Sequence, residues 1–296
     1  MQKPETADYL KLHFIVLILG FTAILGKLTE VSSLSLVLYR TGFAAIGMAV
    51  LAFFRGKSLK LNFREILPLL GTGAFMALHW ICFFGSAKVS TVAISLVAFS
   101  TTSFFTSLLE PLVKKQKISV IEVLLGVSVV VGLFFVFTFE FQYILGISIG
   151  LVGAFLAAVF SIINSQFAKK YEAQKVVFYE MSGAFLASFI YIPIFIYFTQ
   201  SSDYQLVPSK NDWLWIAILG FICTVYPYTE MQNLLKKISA FTLNLSINLE
   251  PIYGIILGYL VFGEKEKMNF GFYVGALVIL VSVLSYPLLL KRVRIK

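Results

Sequence analysis

The chemistry available to this chain lies in a few ionisable and amide side chains placed inside long apolar runs. Glu250 stands ten residues into the run 240–262 and is followed by Pro251. A charge at that depth in a membrane is costly and marks a pathway or site more often than not. The neighbouring proline removes a backbone hydrogen bond and frees a carbonyl. The pair suits a site for a proton, a cation or an amine; the plainer reading is a carboxylate that only hydrogen-bonds a neighbouring helix. At 100° per residue, Asn244, Asn248 and Pro251 share one face, while Glu250 falls on another with Ser246 and Tyr253. On a straight helix one face would line a cavity and the other would meet a helix.

His79 and Trp80 form a second centre, fit for a proton pathway, for stacking a flat substrate, or for a structural role. Arg40 lies in an apolar run and can hold an anionic group or neutralise a buried carboxylate; Glu180, near the inner end of its run, is a further candidate. Tyr228, in Tyr226-Pro227-Tyr228, joins these as a cavity candidate. Glu110, Asn164 and Glu230 stand at the ends of their runs, as gate or interface residues or as snorkelling charges paired with nearby lysines. Gly146, Gly150 and Gly153 have the spacing of a helix-packing face. The chain carries no phosphate-binding loop, no nucleophile elbow and no dinucleotide fingerprint. Its two histidines and two cysteines have no metal-ligand spacing, so no catalytic residue, metal or cofactor is expected.

The elements that hold these residues are read from hydrophobicity. Of 296 residues, 59% are hydrophobic and 13% charged, and mean hydropathy is +0.89, too apolar for a soluble protein of this size. Apolar runs of about twenty residues, the length that crosses a bilayer core, occur at 10–29, 35–54, 66–87, 91–112, 120–138, 144–166, 176–198, 213–234, 240–262 and 270–290. They lack the alternation of barrel strands. The expectation is an all-α membrane protein with ten transmembrane helices, the first retained and not a signal peptide.

The net charge of +9 does not point to nucleic acid, because the basic residues cluster between the runs. With the N-terminus cytoplasmic, 18 of the 24 lysines and arginines fall inside and four (Lys88, Lys210, Lys265, Lys267) outside. Lys27 and Arg40 lie at or within spans. The positive-inside rule therefore puts both termini in the cytoplasm.

A shift of 149 residues lays span 4 on span 9: Lys88-Val89-Ser90 on Lys237-Ile238-Ser239, Leu96 on Leu245, Gly126 on Gly275. A shift of 140 lays Val37, Tyr39 and Ala44 on Val177, Tyr179 and Ala184, and sets Glu180 opposite Arg40. The difference is taken up by the loop Thr199–Asp212. Two five-span halves, 10–138 and 144–290, must insert in opposite senses. Inverted repeats of that kind are a recurrent plan for secondary transporters, with the substrate site where the repeats meet; the step from plan to activity is an analogy.

The residues also carry a family resemblance. Tyr39-Arg40, the stretch Ala77-Leu78-His79-Trp80, Ala87-Lys88-Val89-Ser90 and Leu109-Glu110-Pro111, and then Leu249-Glu250-Pro251-Ile252-Tyr253 with Gly263-Glu264-Lys265, resemble the EamA-like branch of the drug/metabolite transporter superfamily. The resemblance implies a central cavity lined by helices 1–4 and 6–9, with helices 5 and 10 peripheral. It implies a small-molecule substrate (a metabolite, amino acid or drug-like solute, often exported) and a bacterial inner membrane. The first half departs from the pattern. Thr101-Thr102 replace Glu250-Pro251, and Lys114-Lys115 replace Gly263-Glu264, so the two halves of the site are not equivalent. An intramembrane lipid-modifying enzyme with His79 as base is the alternative, and it needs a second acid–base group at the same depth.

Overall fold

The computed structural model describes residues 4–199 and 205–294. Residues 1–3, 200–204 (within the expected long loop) and 295–296 lie outside them, Lys3 and Lys296 of the charge count included. The described residues form helices and no strands. In chain order the helices are α1 (Thr6–Gly20), α2 (Thr22–Leu28), α3 (Ser33–Phe54), α4 (Phe63–Val89), α5 (Val92–Phe99), α6 (Thr102–Lys114) and α7 (Val120–Phe139). The second half contains α8 (Ile144–Lys170), α9 (Ala173–Thr199), α10 (Lys210–Ala217), α11 (Tyr226–Leu234), α12 (Ala240–Ile247), α13 (Glu250–Phe262) and α14 (Phe270–Arg294). Short 3₁₀ turns at Phe141–Tyr143 and Gly263–Glu266 and a π-helical stretch at Ile218–Val225 complete the order.

Eight helical segments are long and apolar enough to cross a membrane: Thr6–Leu28, Ser33–Phe54, Phe63–Val89, Val92–Lys114, Phe141–Lys170, Ala173–Ile194, Lys210–Leu234 and Ala240–Glu266. At the two remaining expected positions stand α7 and α14, whose described apolar stretches, Val120–Phe135 and Phe270–Ser282, are shorter. They pack chiefly against each other. The distribution of polarity is that of a bilayer protein. Phe53 and Phe54 are each 81% exposed and Phe270 is 83% exposed, while Arg40, Glu180 and Glu250 are 1%, 0% and 4% exposed. Outside water, apolar side chains lose nothing by facing lipid, and polar ones must find partners within the bundle.

The core is α3, α4, α8 and α9, with α4 packed against both α8 and α9. Two glycines make the α4–α9 crossing possible. A Cβ on Gly73 would land on the Glu180 carbonyl, and one on Gly183 on the Leu70 backbone. On α8, Gly146, Gly150 and Gly153 face Ser90, Ala98 and Cys82, the close helix contact their spacing suggests.

Several segments are interrupted at mid-depth, each for a local reason. Between α12 and α13, Pro251 has no N–H to continue the ladder across Asn248–Leu249. Between α5 and α6 no proline is present; a run of hydroxyls takes its place. Ser100, Thr101 and Thr102 donate their side-chain O–H to the carbonyls of Val97, Ala98 and Phe99 at 2.6, 2.7 and 2.6 Å, in competition with the helix's own bonds. Val92 and Ala240, which begin α5 and α12, lie 148 residues apart, within one residue of the offset read from the sequence.

Candidate functional site

A cavity of about 60 Å³ opens where these interruptions meet. Its wall comes from α1 to α6, α8, and α11 to α13, through residues that include Leu19, Thr22, Arg40, His79, Trp80, Phe99, Thr102, Phe160, Ser161, Tyr228, Asn244, Asn248 and Glu250. Among the described residues, none of α7 or α14 contributes to it.

Arg40 is held by a hydrogen bond and by the rings of Trp80 and, at 5.5 Å, Phe84. Its Nε donates to Thr224 Oγ1 at 2.9 Å, and its guanidinium carbon stands 3.9 Å from the centre of the Trp80 ring. Thr224 sits in the π-helical stretch just before Pro227, where its hydroxyl also donates to the Leu219 carbonyl at 2.6 Å. The wider π turn therefore aims that oxygen at Arg40. Trp80 is fixed in turn by an Nε1–H bond of 3.1 Å to Tyr228 Oη, with the two rings edge to face at 5.2 Å.

No carboxylate lies within ion-pair distance of Arg40 among the described residues. Glu250 faces the same cavity and accepts no hydrogen bond from a described residue. Stacking on Trp80 is worth up to about 2 kcal/mol for a desolvated cation, whereas burying an unpaired ion costs several kcal/mol. The protein's own contacts thus leave the Arg40 charge under-compensated and the Glu250 carboxyl without a hydrogen-bond partner among the described residues. A solute that brings opposite charges would complete them.

The remaining wall is aromatic and amide. His79 is stacked on Phe99 at 5.6 Å between ring centres, tilted against Phe160 and Trp80, and its Nδ1 is buried without a partner. Asn244 donates to Thr106 Oγ1 (2.8 Å) and Ser161 Oγ (2.7 Å), and Asn248 to Ser103 Oγ (2.8 Å). Those bonds tie α12 to α6 and α8 through the amide N–H groups, and the side-chain carbonyls accept none from a described residue.

The straight-helix reading of 240–262 set Glu250 on a different face from Asn244 and Asn248. The structure corrects it: all three line one cavity, because the break at Asn248–Leu249 resets the helical phase. Seven of the cavity candidates (Arg40, His79, Trp80, Tyr228, Asn244, Asn248, Glu250) meet there. Glu180 does not. It lines a smaller space of about 10 Å³ with Asn164 and Gln232, and accepts from Asn164 Nδ2 at 3.3 Å. Nor does Arg40 pair with it. Asn164 Oδ1 and Glu180 Oε1 are buried without partners among the described residues, beside a space about the size of one water. Glu230 pairs with Lys11 at 2.7 Å. Glu110 pairs with Lys114 and also accepts from the backbone N–H groups of Ala240 (3.1 Å) and Phe241 (2.7 Å). Thr224 escaped sequence reasoning; the one signal for it was its place three residues before a proline in an apolar run.

Comparison with known proteins agrees with this architecture. The model of the EamA-like transporter family matches residues 9–138 and again 144–286. Among curated proteins, the uncharacterized transporter YxxF of Bacillus subtilis (strain 168) is 23% identical over 274 residues, covering 90% of this chain and 85% of its own length. The uncharacterized transporter YdfC of the same organism is 24% identical over 226 residues, covering 73% and 71%. A solved structure described only as the crystal structure of a protein superposes with a TM-score of 0.71 at 15% identity, over 97% of this chain and 99% of that one, and so shares the fold. With the two matches of the family model together covering nearly the whole chain, this is a multi-pass membrane protein that belongs to the EamA-like transporter family.

Proposed function

We propose that the protein is a secondary transporter, working as an exporter, that moves a small amphipathic metabolite, amino acid or drug-like solute by alternating access. It crosses a bacterial inner membrane ten times as two inverted five-helix repeats, 10–138 and 144–290, with both termini cytoplasmic. The distribution of 18 basic residues against four supports the orientation. Glu110, at the end of α6, meets the start of α12, and Glu266, after α13, meets the start of α5, so the two broken helices run antiparallel, which supports the inversion.

One observation carries the reading: Arg40 and Glu250 line one cavity, each buried and neither within ion-pair distance of an opposite charge among the described residues. A solute with an anionic and a cationic group would satisfy both, and the aromatic wall of Trp80, Phe99, Phe160 and Tyr228 would take its apolar part. Glu250 or His79 would hold the proton if transport is proton-coupled. Comparing the medium of cells with and without overexpression identifies candidate solutes, and flux in proteoliposomes then tests them. Glu250→Gln is expected to slow that flux and flatten its dependence on pH. Wild-type rates across a pH series would remove Glu250 from the mechanism. Lipid turnover without flux of any solute would favour the enzyme.

A further inference from the structure

The two broken helices are joined at both ends by the same device, built once from each half. At the end of the bundle bearing Lys114 and Lys237, α12 begins with Ser239 as its cap, whose hydroxyl accepts from the Thr242 N–H. The next two N–H groups, of Ala240 and Phe241, are taken by the carboxylate of Glu110 from α6, which also pairs with Lys114. At the opposite end, α5 begins with Thr91 as its cap, whose hydroxyl accepts from the Ile94 N–H. There the next two N–H groups, of Val92 and Ala93, are taken by the carboxylate of Glu266 at 3.1 and 3.3 Å, and Glu266 pairs with Lys27 at 2.8 Å.

The two ends correspond residue for residue at an offset of 148: Thr91 with Ser239, Val92 with Ala240, Ala93 with Phe241, Ile94 with Thr242. Each half offers a helix N-terminus and receives the other half's carboxylate. Both carboxylates are buried, Glu110 to 5% and Glu266 to 3% exposure, and each accepts from two backbone N–H groups and one lysine. Exposed helix donors, the positive end of the helix dipole and a cation together make a strong carboxylate site.

Each half-helix, α5 and α12, is thus tied at its outer end by one of these contacts and ends at a backbone break at its inner end, beside the cavity. A segment hinged at one end and latched at the other is a gate. We propose that Glu266 and Glu110 are the two gate latches of the transport cycle. Release of Glu266 frees α5 and opens the cavity toward the Lys27 face; release of Glu110 frees α12 and opens it toward the Lys114 face. This inference rests on the alternating-access reading above, and it needs no knowledge of the solute.

The test measures access to the cavity from each side. In a full-length background with Cys82→Ala and Cys223→Ala, Ala157→Cys places a thiol on the cavity wall. A charged, membrane-impermeant methanethiosulfonate is then applied to one side or the other of sealed vesicles. Glu266→Gln is expected to raise the labelling rate from the Lys27 face at least about tenfold, with no increase from the Lys114 face; Glu110→Gln is expected to do the reverse. Lys27→Met and Lys114→Met, which weaken the same latches without touching the acceptor, should shift access to the same sides by a smaller factor, and they serve if a carboxylate variant does not fold. Equal gains from both faces, no gain, or gains on the wrong side would overturn the assignment. Labelling that follows these sides while no solute is moved would leave the latches standing and count against the transport reading.

Discussion

The break between α5 and α6 and the break between α12 and α13 occupy matching places in the chain and border the same cavity, yet they are made by different chemistry. In the first half three hydroxyls in succession bond back to the preceding turn. In the second a proline withdraws an N–H, and a carboxylate stands beside it. Backbone geometry is common to the two; charge is not. A duplicated scaffold can therefore keep its mechanical property, a helix that bends at mid-depth, while only one copy carries an ionisable group. On the transport reading proposed above, the comparison separates what would let the site move from what would make it selective.

The largest expected effect lies across the cavity from both breaks. Arg40→Met, which keeps the stem's volume and removes the charge, should lower solute flux by about a hundredfold, the scale of truncating a buried charged contact. Arg40→Lys should not restore it, because an ammonium neither stacks on Trp80 nor reproduces the guanidinium fork. Flux in proteoliposomes, corrected for the amount of folded protein, reads both.

Next is a structural control on the frame that holds both breaks. Gly183→Ala should destabilise the protein by about 1–3 kcal/mol or more, since the new methyl overlaps the Leu70 backbone, which cannot step aside. Gly71→Ala, with nothing within 4 Å of the added carbon, should leave thermal unfolding in detergent unchanged or slightly improved. Equal melting temperatures for the two would mean that α4 and α9 do not cross where the structure puts them.

Smaller effects probe the breaks themselves. Replacing Ser100, Thr101 and Thr102 together with Ala, Val and Val removes the hydroxyl bonds and should slow flux about tenfold by favouring a straighter helix. Pro251→Ala restores a donor and should slow it only about threefold, because Asn248 stays bound to Ser103 and holds α12 bent. Should the proline change prove the more damaging, the second break would depend on Pro251 more than on the amide contact.

Much of this was legible in the sequence because the bilayer leaves few options. Apolar runs of span length must be helices. The repeat offset of 149 came within one residue of the spacing between the two broken helices. Seven of the eight cavity candidates were found by a simple rule, that a polar side chain in an apolar run needs a reason. What stayed hidden depends on backbone departures from a regular helix. The phase change at Asn248–Leu249 moved Glu250 onto the face of Asn244 and Asn248, and no periodicity argument registers a phase change. The π turn that aims Thr224 at Arg40 is equally silent in composition. Glu180 corresponds to Arg40 in the repeat alignment yet lines a separate, smaller space with Asn164, since correspondence between repeats says nothing of which cavity a side chain faces. Glu266 escaped notice because a charged turn after a span reads as ordinary solvated punctuation until its carboxylate is found on the N-terminus of α5.

The central claim, that the cavity moves a charged solute and that of its two matched breaks only the one bearing Glu250 takes part in holding it, is tested most directly by counterflow of a solute that the wild-type protein moves, measured side by side for Glu250→Gln and Thr101→Val. The account predicts at least about a tenfold loss for Glu250→Gln, equivalent to about 1.4 kcal/mol, and a rate within about twofold of wild type for Thr101→Val, a single hydroxyl among three. Equal losses for the two, or wild-type counterflow with Glu250→Gln, would contradict it.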